Sequence, residues 1–226
     1  MMVLGIVGSP AGGKSTAASF LAEQGAQWIN ADLIARDCLQ HADVISQLTA
    51  RFGSGLLTEQ GTIDRAQVAD LVFGTDSAKR ENLAFLESLV HPRTRIEIRR
   101  QLIAAAQDGF SVALLDVPLL FESGWDRGCD SIWCVHATRA RRLQWIQNRG
   151  WDSQELDRRE ANQMPIESKC RLSNVVMLND ATLDALHQNL RRHWEQIARM
   201  MDAQTRRATA DRSSPTRHCV TDRPMR

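Results

Sequence analysis

Apolar residues along the chain follow two rhythms. Short runs that are apolar throughout, or nearly so, stand at Val3-Leu4-Gly5-Ile6-Val7, Ser111-Val112-Ala113-Leu114-Leu115-Asp116, Ser131-Ile132-Trp133-Cys134-Val135 and Val175-Val176-Met177-Leu178, and Gln27-Trp28-Ile29-Asn30 reads as a further short strand. Continuous rather than alternating apolarity is the mark of a strand buried on both faces, as in a parallel sheet. Between these runs the spacing turns helical, and it predicts helices over 16–24, 32–39, 42–52, 64–73, 77–107, 138–148, 153–163 and 182–201. Gly25 stops the first of them, and Asp64 and the Thr75-Asp76 pair are placed to cap two others. His91-Pro92 falls inside the longest, where proline is expected to kink or restart the helix, and Met164-Pro165 marks a helix boundary. The last helix carries Leu183, Leu186, Leu190, Trp194 and Ile197 on one face.

Strands alternating with helices imply an α/β fold, a five-stranded parallel sheet with helices on both faces. The helices of residues 32–108 exceed what one crossover needs, so this insertion reads as a substrate-binding lobe. One domain over 1–202 is expected, its core formed by 1–31, 109–137 and 172–202, with a lid over 138–171. Apolar periodicity ends near Ala203, and the arginine-rich stretch 203–226 reads as a disordered, solvated tail.

Chemistry is concentrated just after the first strand. Gly8-Ser9-Pro10-Ala11-Gly12-Gly13-Lys14-Ser15 satisfies G-x-x-x-x-G-K-[ST] between a strand and a helix, the setting a phosphate-binding loop requires. Glycines allow backbone N–H groups to converge on phosphate oxygens, and the following helix adds its positive dipole end. Lys14 supplies a mobile positive charge and Ser15 a hard oxygen suited to Mg²⁺. In a parallel sheet, ligands sit beyond the carboxyl ends of the strands, where Asp32 and Asp116 also fall. Asp32 reads either as a base toward an acceptor hydroxyl or as a helix cap; Asp116 reads as a Mg²⁺ partner through water, as an acid bonded to Ser15, or as a satisfied strand-end carboxylate. Arg141, Arg142, Arg149 and Arg159 lie on the two polar helices of the lid, where a guanidinium could fold over a triphosphate. His91 is either a contact to a substrate phosphate or a structural histidine.

Formal charge of +1 and 24% charged residues give no reason to expect a polyanion partner, and no apolar stretch is long enough for a membrane span. Cysteines at 38, 129, 134, 170 and 219 form no C-x-x-C pair, which suits reduced thiols in the cytoplasm. A GTP-dependent switch should carry N-K-x-D after a strand, and the chain has none. Another P-loop kinase, for a nucleoside or nucleotide, remains the alternative at this level.

Further stretches narrow the choice. Ile29-Asn30-Ala31-Asp32-Leu33-Ile34-Ala35-Arg36, Leu57-Thr58-Glu59-Gln60-Gly61-Thr62-Ile63-Asp64-Arg65, His91-Pro92-Arg93-Thr94-Arg95 and above all Leu115-Asp116-Val117-Pro118-Leu119-Leu120-Phe121-Glu122-Ser123-Gly124 occur in order, followed by Arg149-Gly150, Arg159, Gln163-Met164, Lys169 and Asn179. With the glycine-rich loop, this pattern resembles the dephospho-coenzyme A kinase family from about Leu4 to Ile197. The resemblance implies a three-layer P-loop kinase fold and phosphorylation of the ribose 3′-hydroxyl of dephospho-CoA by ATP with Mg²⁺. It implies that Ala11, Gly12, Gly13, Lys14, Ser15 and Thr16 bind ATP phosphates, that Asn179 lies near the adenine, and that Asp32 is the base. Arg36, the helical insertion and Pro118, Leu119, Phe121 and Glu122 would hold the acceptor, and Arg142, Arg149 and Arg159 would form the lid. A monomer or weak homo-oligomer is expected. Two positions depart from the family. The loop reads Gly8-Ser9-Pro10-Ala11-Gly12-Gly13-Lys14 instead of the usual Gly-Gly-Ile-Gly-Ser-Gly-Lys, and Asn30 stands where Asp is usual.

Overall fold

The structure is a computed structural model that describes residues 1–74 and 76–212. Five strands, β1 (Met2–Val7), β2 (Gln27–Asn30), β3 (Val112–Asp116), β4 (Ser131–His136) and β5 (Val175–Leu178), form one sheet in the order β2-β3-β1-β4-β5. Every pairing is parallel. The first strand is therefore central, and the loop that leaves it opens at mid-sheet.

Side chains alternate across the strands. From β1, Leu4 and Ile6 join Leu114, Trp133 and Val135 on one face, packed against α1 (Lys14–Glu23) and α9 (Leu183–Arg212) through Ala17, Leu21, Leu186 and Leu190. Val7, with Ile29, Leu115 and Cys134, covers the opposite face, where Ile34 of α2 (Ala31–Cys38) and Ile98 of α5 (Ser77–Gln107) pack. A separate cluster of Val44, Leu48, Leu56, Val68, Val72 and Leu89 holds together α3 (Ala42–Phe52), α4 (Arg65–Val72) and the first half of α5. The 32–108 insertion thus has a small core of its own.

α5 runs unbroken for 31 residues through Pro92. Packing of both halves outweighs the lost backbone bond, and side chains serve the preceding turn: Arg93 donates to the Leu89 carbonyl at 2.6 Å and Thr94 to that of Val90 at 2.9 Å. Asp64 and Asp76 cap α4 and α5; Thr75, expected to share the second cap, lies outside the described residues. Between β4 and β5 stand α6 (Arg139–Ile146), α7 (Ser153–Ala161) and α8 (Ile166–Leu172). No apolar spacing announces α8, whose seven residues start directly after Pro165. α9 continues to Arg212, past the expected end near 201, because alanine, glutamine and arginine sustain a helix without an apolar face. The rest of the expected tail, 213–226, lies outside the described residues. Among the described residues no helix is long and apolar enough to cross a membrane.

Candidate active site

The loop between β1 and α1 is set by three close approaches. A methyl group on Gly8 would overlap the Val135 carbonyl oxygen, so the chain leaving β1 can lie against β4 only as glycine. Gly12 donates its N–H to the Ser9 carbonyl at 2.9 Å, closing the turn. Gly13 takes φ 100° at the start of α1, and a methyl there would strike the Asn179 amide. Asn179, which follows β5, is buried; its Nδ2 donates to the Gly12 carbonyl at 3.2 Å and its own N–H to the His136 carbonyl at 2.7 Å. The expected neighbour of the adenine therefore also holds the loop from behind. Ala11 occupies φ 59°, the left-handed region that the family's glycine enters freely.

Asn30 caps α2: its Oδ1 accepts the Leu33 N–H at 3.1 Å. The capping reading of Asp32 gives way, since the cap is the residue two positions earlier. Asp32 is left free on the first turn, facing a cavity of about 140 Å³ that it lines with the whole of Gly8–Ser15, Pro118, Arg149, Trp151, Arg159 and Gln163. The protein around it withdraws bulk water and raises its carboxyl pKa; Lys14 opposes this, Asp116 adds to it, and Arg36 and Arg159 oppose it. Arg36 is exposed one turn further along α2, on the same side as Asp32.

Asp116 ends β3 in register with Asn30 and Ile6, almost completely buried. Its Oδ1 pairs with the Lys14 ammonium, and its Oδ2 accepts the Trp28 indole N–H at 3.2 Å. Of the readings considered, the bond to Ser15 gives way to one with the neighbouring Lys14. Trp28 packs against the sheet core as expected and is in addition a polar partner of the site. Ser15 and Thr16 lie exposed at the amino-terminal turn of α1.

The lid is arranged differently from its expectation. Arg142 is buried: it donates to the Ala137 carbonyl at 3.0 Å and the Pro10 carbonyl at 3.4 Å, and it pairs with Glu160. Its Nε and Nη1 are engaged by two carbonyls and a carboxylate, so it braces the glycine-rich loop and does not line this cavity. Arg149 and Arg159 do line it. On the acceptor side only Asp32 and Pro118 of the expected residues reach the cavity wall. Phe121 packs against the sheet core, Leu119 and His91 are exposed outside the cavity, and the Glu122 carboxylate accepts the Met164 N–H at 2.6 Å.

That last bond belongs to a latch whose residues, Glu122, Gln163-Met164 and Lys169, stand in the sequence pattern without being joined there. Lys169, on α8, is 1% exposed, and its ammonium donates to the Gln163 amide oxygen at 2.8 Å and the Pro118 carbonyl at 3.2 Å, with Glu122 at 3.8 Å. Burial lowers its pKa, Glu122 and Cys134 oppose the change, and Lys14 adds to it. The resemblance names Lys169 without a role, and its being one of three lysines in the chain is the further signal. A second cavity of about 400 Å³ adjoins the loop, lined by Ala11, Gly13, Thr16, Arg141, Trp145, Arg149, Asn179 and Leu183. Leu183, expected in the core, is 55% exposed because it faces this hollow.

The family model for dephospho-CoA kinase matches residues 2–185. The chain belongs to the dephospho-CoA kinase family. A dephospho-CoA kinase of Rhodopirellula baltica is 38% identical over 186 residues, 82% of this chain and 86% of that protein. One from Carboxydothermus hydrogenoformans is 36% identical over 190 residues, covering 83% and 90%. Among solved structures, a Thermus thermophilus protein superposes with a TM-score of 0.69 at 29% identity over 86% of this chain and 97% of its own. The Campylobacter jejuni dephospho-CoA kinase shares the fold, with a TM-score of 0.63 at 21% identity over 86% and 96%. Family membership makes this P-loop protein a kinase and removes the nucleoside kinase alternative.

Proposed function

We propose that this dephospho-CoA kinase transfers the γ-phosphoryl group of ATP to the ribose 3′-hydroxyl of dephospho-CoA, yielding CoA and ADP, with Asp32 as the base. The observation that carries the reading is the shared cavity: Asp32, relieved of capping by Asn30, faces the same hollow as the convergent loop and Lys14. A carboxylate with raised pKa, placed where phosphates bind, is suited to receive a hydroxyl proton as the oxygen attacks phosphorus. The backbone N–H groups of Ala11–Thr16 and the amino end of α1 hold the β- and γ-phosphates. An arriving phosphate competes with Asp116 for the Lys14 ammonium. The 400 Å³ cavity, with apolar Leu183 and Trp145 and the Asn179 amide, suits the adenine.

Hard oxygen donors fit Mg²⁺: the Ser15 hydroxyl would hold it directly and Asp116 through water, and when bound it neutralises phosphate charge. No group of three His, Cys, Asp or Glu capable of holding a metal is found among the described residues, so phosphate oxygens and water would supply the remaining ligands. Arg149 and Arg159 offset charge on the transferring group while the lid excludes water. Pro118 and Gln163, pinned by Lys169, form the acceptor wall. The setting is cytoplasmic.

The test is mass spectrometry of dephospho-CoA incubated with the protein, ATP and Mg²⁺. One added phosphoryl group, located on the 3′-oxygen by phosphorus NMR, supports the proposal. Phosphorylation of adenosine or AMP in preference to dephospho-CoA would overturn it.

A further inference from the structure

Trp151 stands between two features that fix its backbone. Gly150 before it turns the chain at φ 67°, and Asp152 after it caps α7 by accepting the Glu155 N–H at 2.7 Å. The indole emerges on the wall of the phosphate cavity. The Arg159 guanidinium carbon lies 4.0 Å from its ring centroid and that of Arg149 lies 5.7 Å away. Arg159 also donates its Nε to Glu155 at 2.6 Å. One guanidinium is thus held between an aromatic face and a carboxylate, both placed by the first turn of α7 and the residue before it. Stacking uses the flat face of a guanidinium and leaves its in-plane N–H groups free at the edge, the donors that phosphate oxygens require. Arg159 is 48% exposed and without such a support would distribute over many rotamers.

We propose that Trp151 is a positioning residue for phosphoryl transfer, its ring holding Arg159, and more weakly Arg149, aimed into the phosphate cavity before the triphosphate docks. This rests on the reading above that the cavity receives the triphosphate. The ring acts through the arginine, so its removal slows turnover without weakening acceptor binding.

A double-mutant cycle tests it. Trp151→Leu is expected to lower kcat roughly five- to tenfold, about the worth of a partly desolvated cation–π contact, with KM for dephospho-CoA within about twofold. Trp151→Phe, which keeps a ring face, recovers most of the rate. The Trp151→Leu, Arg159→Gln double variant is no slower than Arg159→Gln alone. An unchanged kcat, slowing that multiplies in the double variant, or a loss confined to KM for either substrate would overturn the proposal; the last outcome would mean that the ring touches substrate itself. A second measurement needs neither an acceptor nor the Leu variant. Inorganic tripolyphosphate should shift tryptophan emission in the wild type, and the part of the shift that Trp151→Phe removes should be removed by Arg159→Gln as well. An Arg159→Gln shift as large as that of the wild type counts against the pairing. Failure of the wild type to phosphorylate dephospho-CoA would instead sink the reading of the reaction, which the emission arm does not depend on.

Discussion

Replacing Lys169 with methionine separates what the buried ammonium does for the fold from what it does for the acceptor wall. The substitution keeps an unbranched stem of similar length and removes only the charge. Two hydrogen bonds go, to Gln163 at 2.8 Å and Pro118 at 3.2 Å, together with the attraction to Glu122 at 3.8 Å. Bonds from a charged donor contribute about 1.5–3 kcal/mol each, so roughly 3–6 kcal/mol is lost. Against this, burying an ammonium costs several kcal/mol, which the substitution returns. The downward pKa shift, caused first by desolvation, is the sign of that cost. The two effects nearly cancel, and the thermal midpoint is expected to move by less than about 6 °C. The local consequence does not cancel, because Pro118 and Gln163, both of which line the cavity, then lose the ammonium that ties them together. Misplacement by an ångström can cost about a hundredfold in rate. Coupled-assay kinetics should show kcat/KM for dephospho-CoA down at least about tenfold, a change of about 1.4 kcal/mol, with KM for ATP within about twofold. Wild-type kcat/KM, or an ATP defect as large as the acceptor defect, would refute the reasoning.

Asp32→Asn should lower kcat by at least about a hundredfold while ATP affinity, read by calorimetry, stays within about threefold. The same variant should melt higher than wild type. Burial raises the Asp32 pKa, so the folded protein holds this proton more tightly than the unfolded chain. Stability therefore falls as pH rises from the ordinary aspartate value through the raised one, and above that window the ionised carboxylate is a net cost that asparagine removes. Wild-type activity should fall as the base protonates, its acid limb lying above the ordinary aspartate range; a limb at or below that range contradicts the assignment. Ala11→Gly relieves about 1–2 kcal/mol of left-handed strain and adds about 0.4–1 kcal/mol of unfolded-chain entropy, so calorimetry should record a midpoint about 1–4 °C higher, and a lower midpoint would contradict the strain. Burial pushes the Cys129 and Cys134 thiols up to about 12, so in the native protein at pH 8 neither should react with a disulfide reagent at the rate of a free thiol.

What the sequence made legible was local. The loop motif needs only consecutive residues, and the apolar runs at 3–7 and 111–116 report a doubly buried strand without reference to their partners. Asp32 was correctly placed at a strand end, but whether it capped α2 could not be decided, because Asn30 and Asp32 are equally good caps by type. The rest depends on distant contacts. Arg142 and Arg149 look alike in sequence, and only the approach of Glu160 and the Pro10 carbonyl buries one of them. Trp28 reaches Asp116 across 88 residues and Lys169 reaches Pro118 across 51, distances over which no periodicity carries information. Leu183 satisfies the helical face rule yet borders a hollow, since hydrophobicity does not distinguish a core position from a wall meant for an apolar ligand.

The central place of β1 bears on how the enzyme comes into being during synthesis. β1 has both its neighbours far downstream, beginning at Val112 and Ser131. A nascent chain ending before Cys134 carries the entire glycine-rich stretch but lacks the β4 backbone against which Gly8 is pressed. Such a truncated chain has no rigid anion cradle, and its apolar amino-terminal segment waits unpaired while some hundred residues emerge, the kind of delay that parallel topology imposes and that chaperones relieve. Nucleotide grip is accordingly acquired late and all at once, when the fourth strand docks.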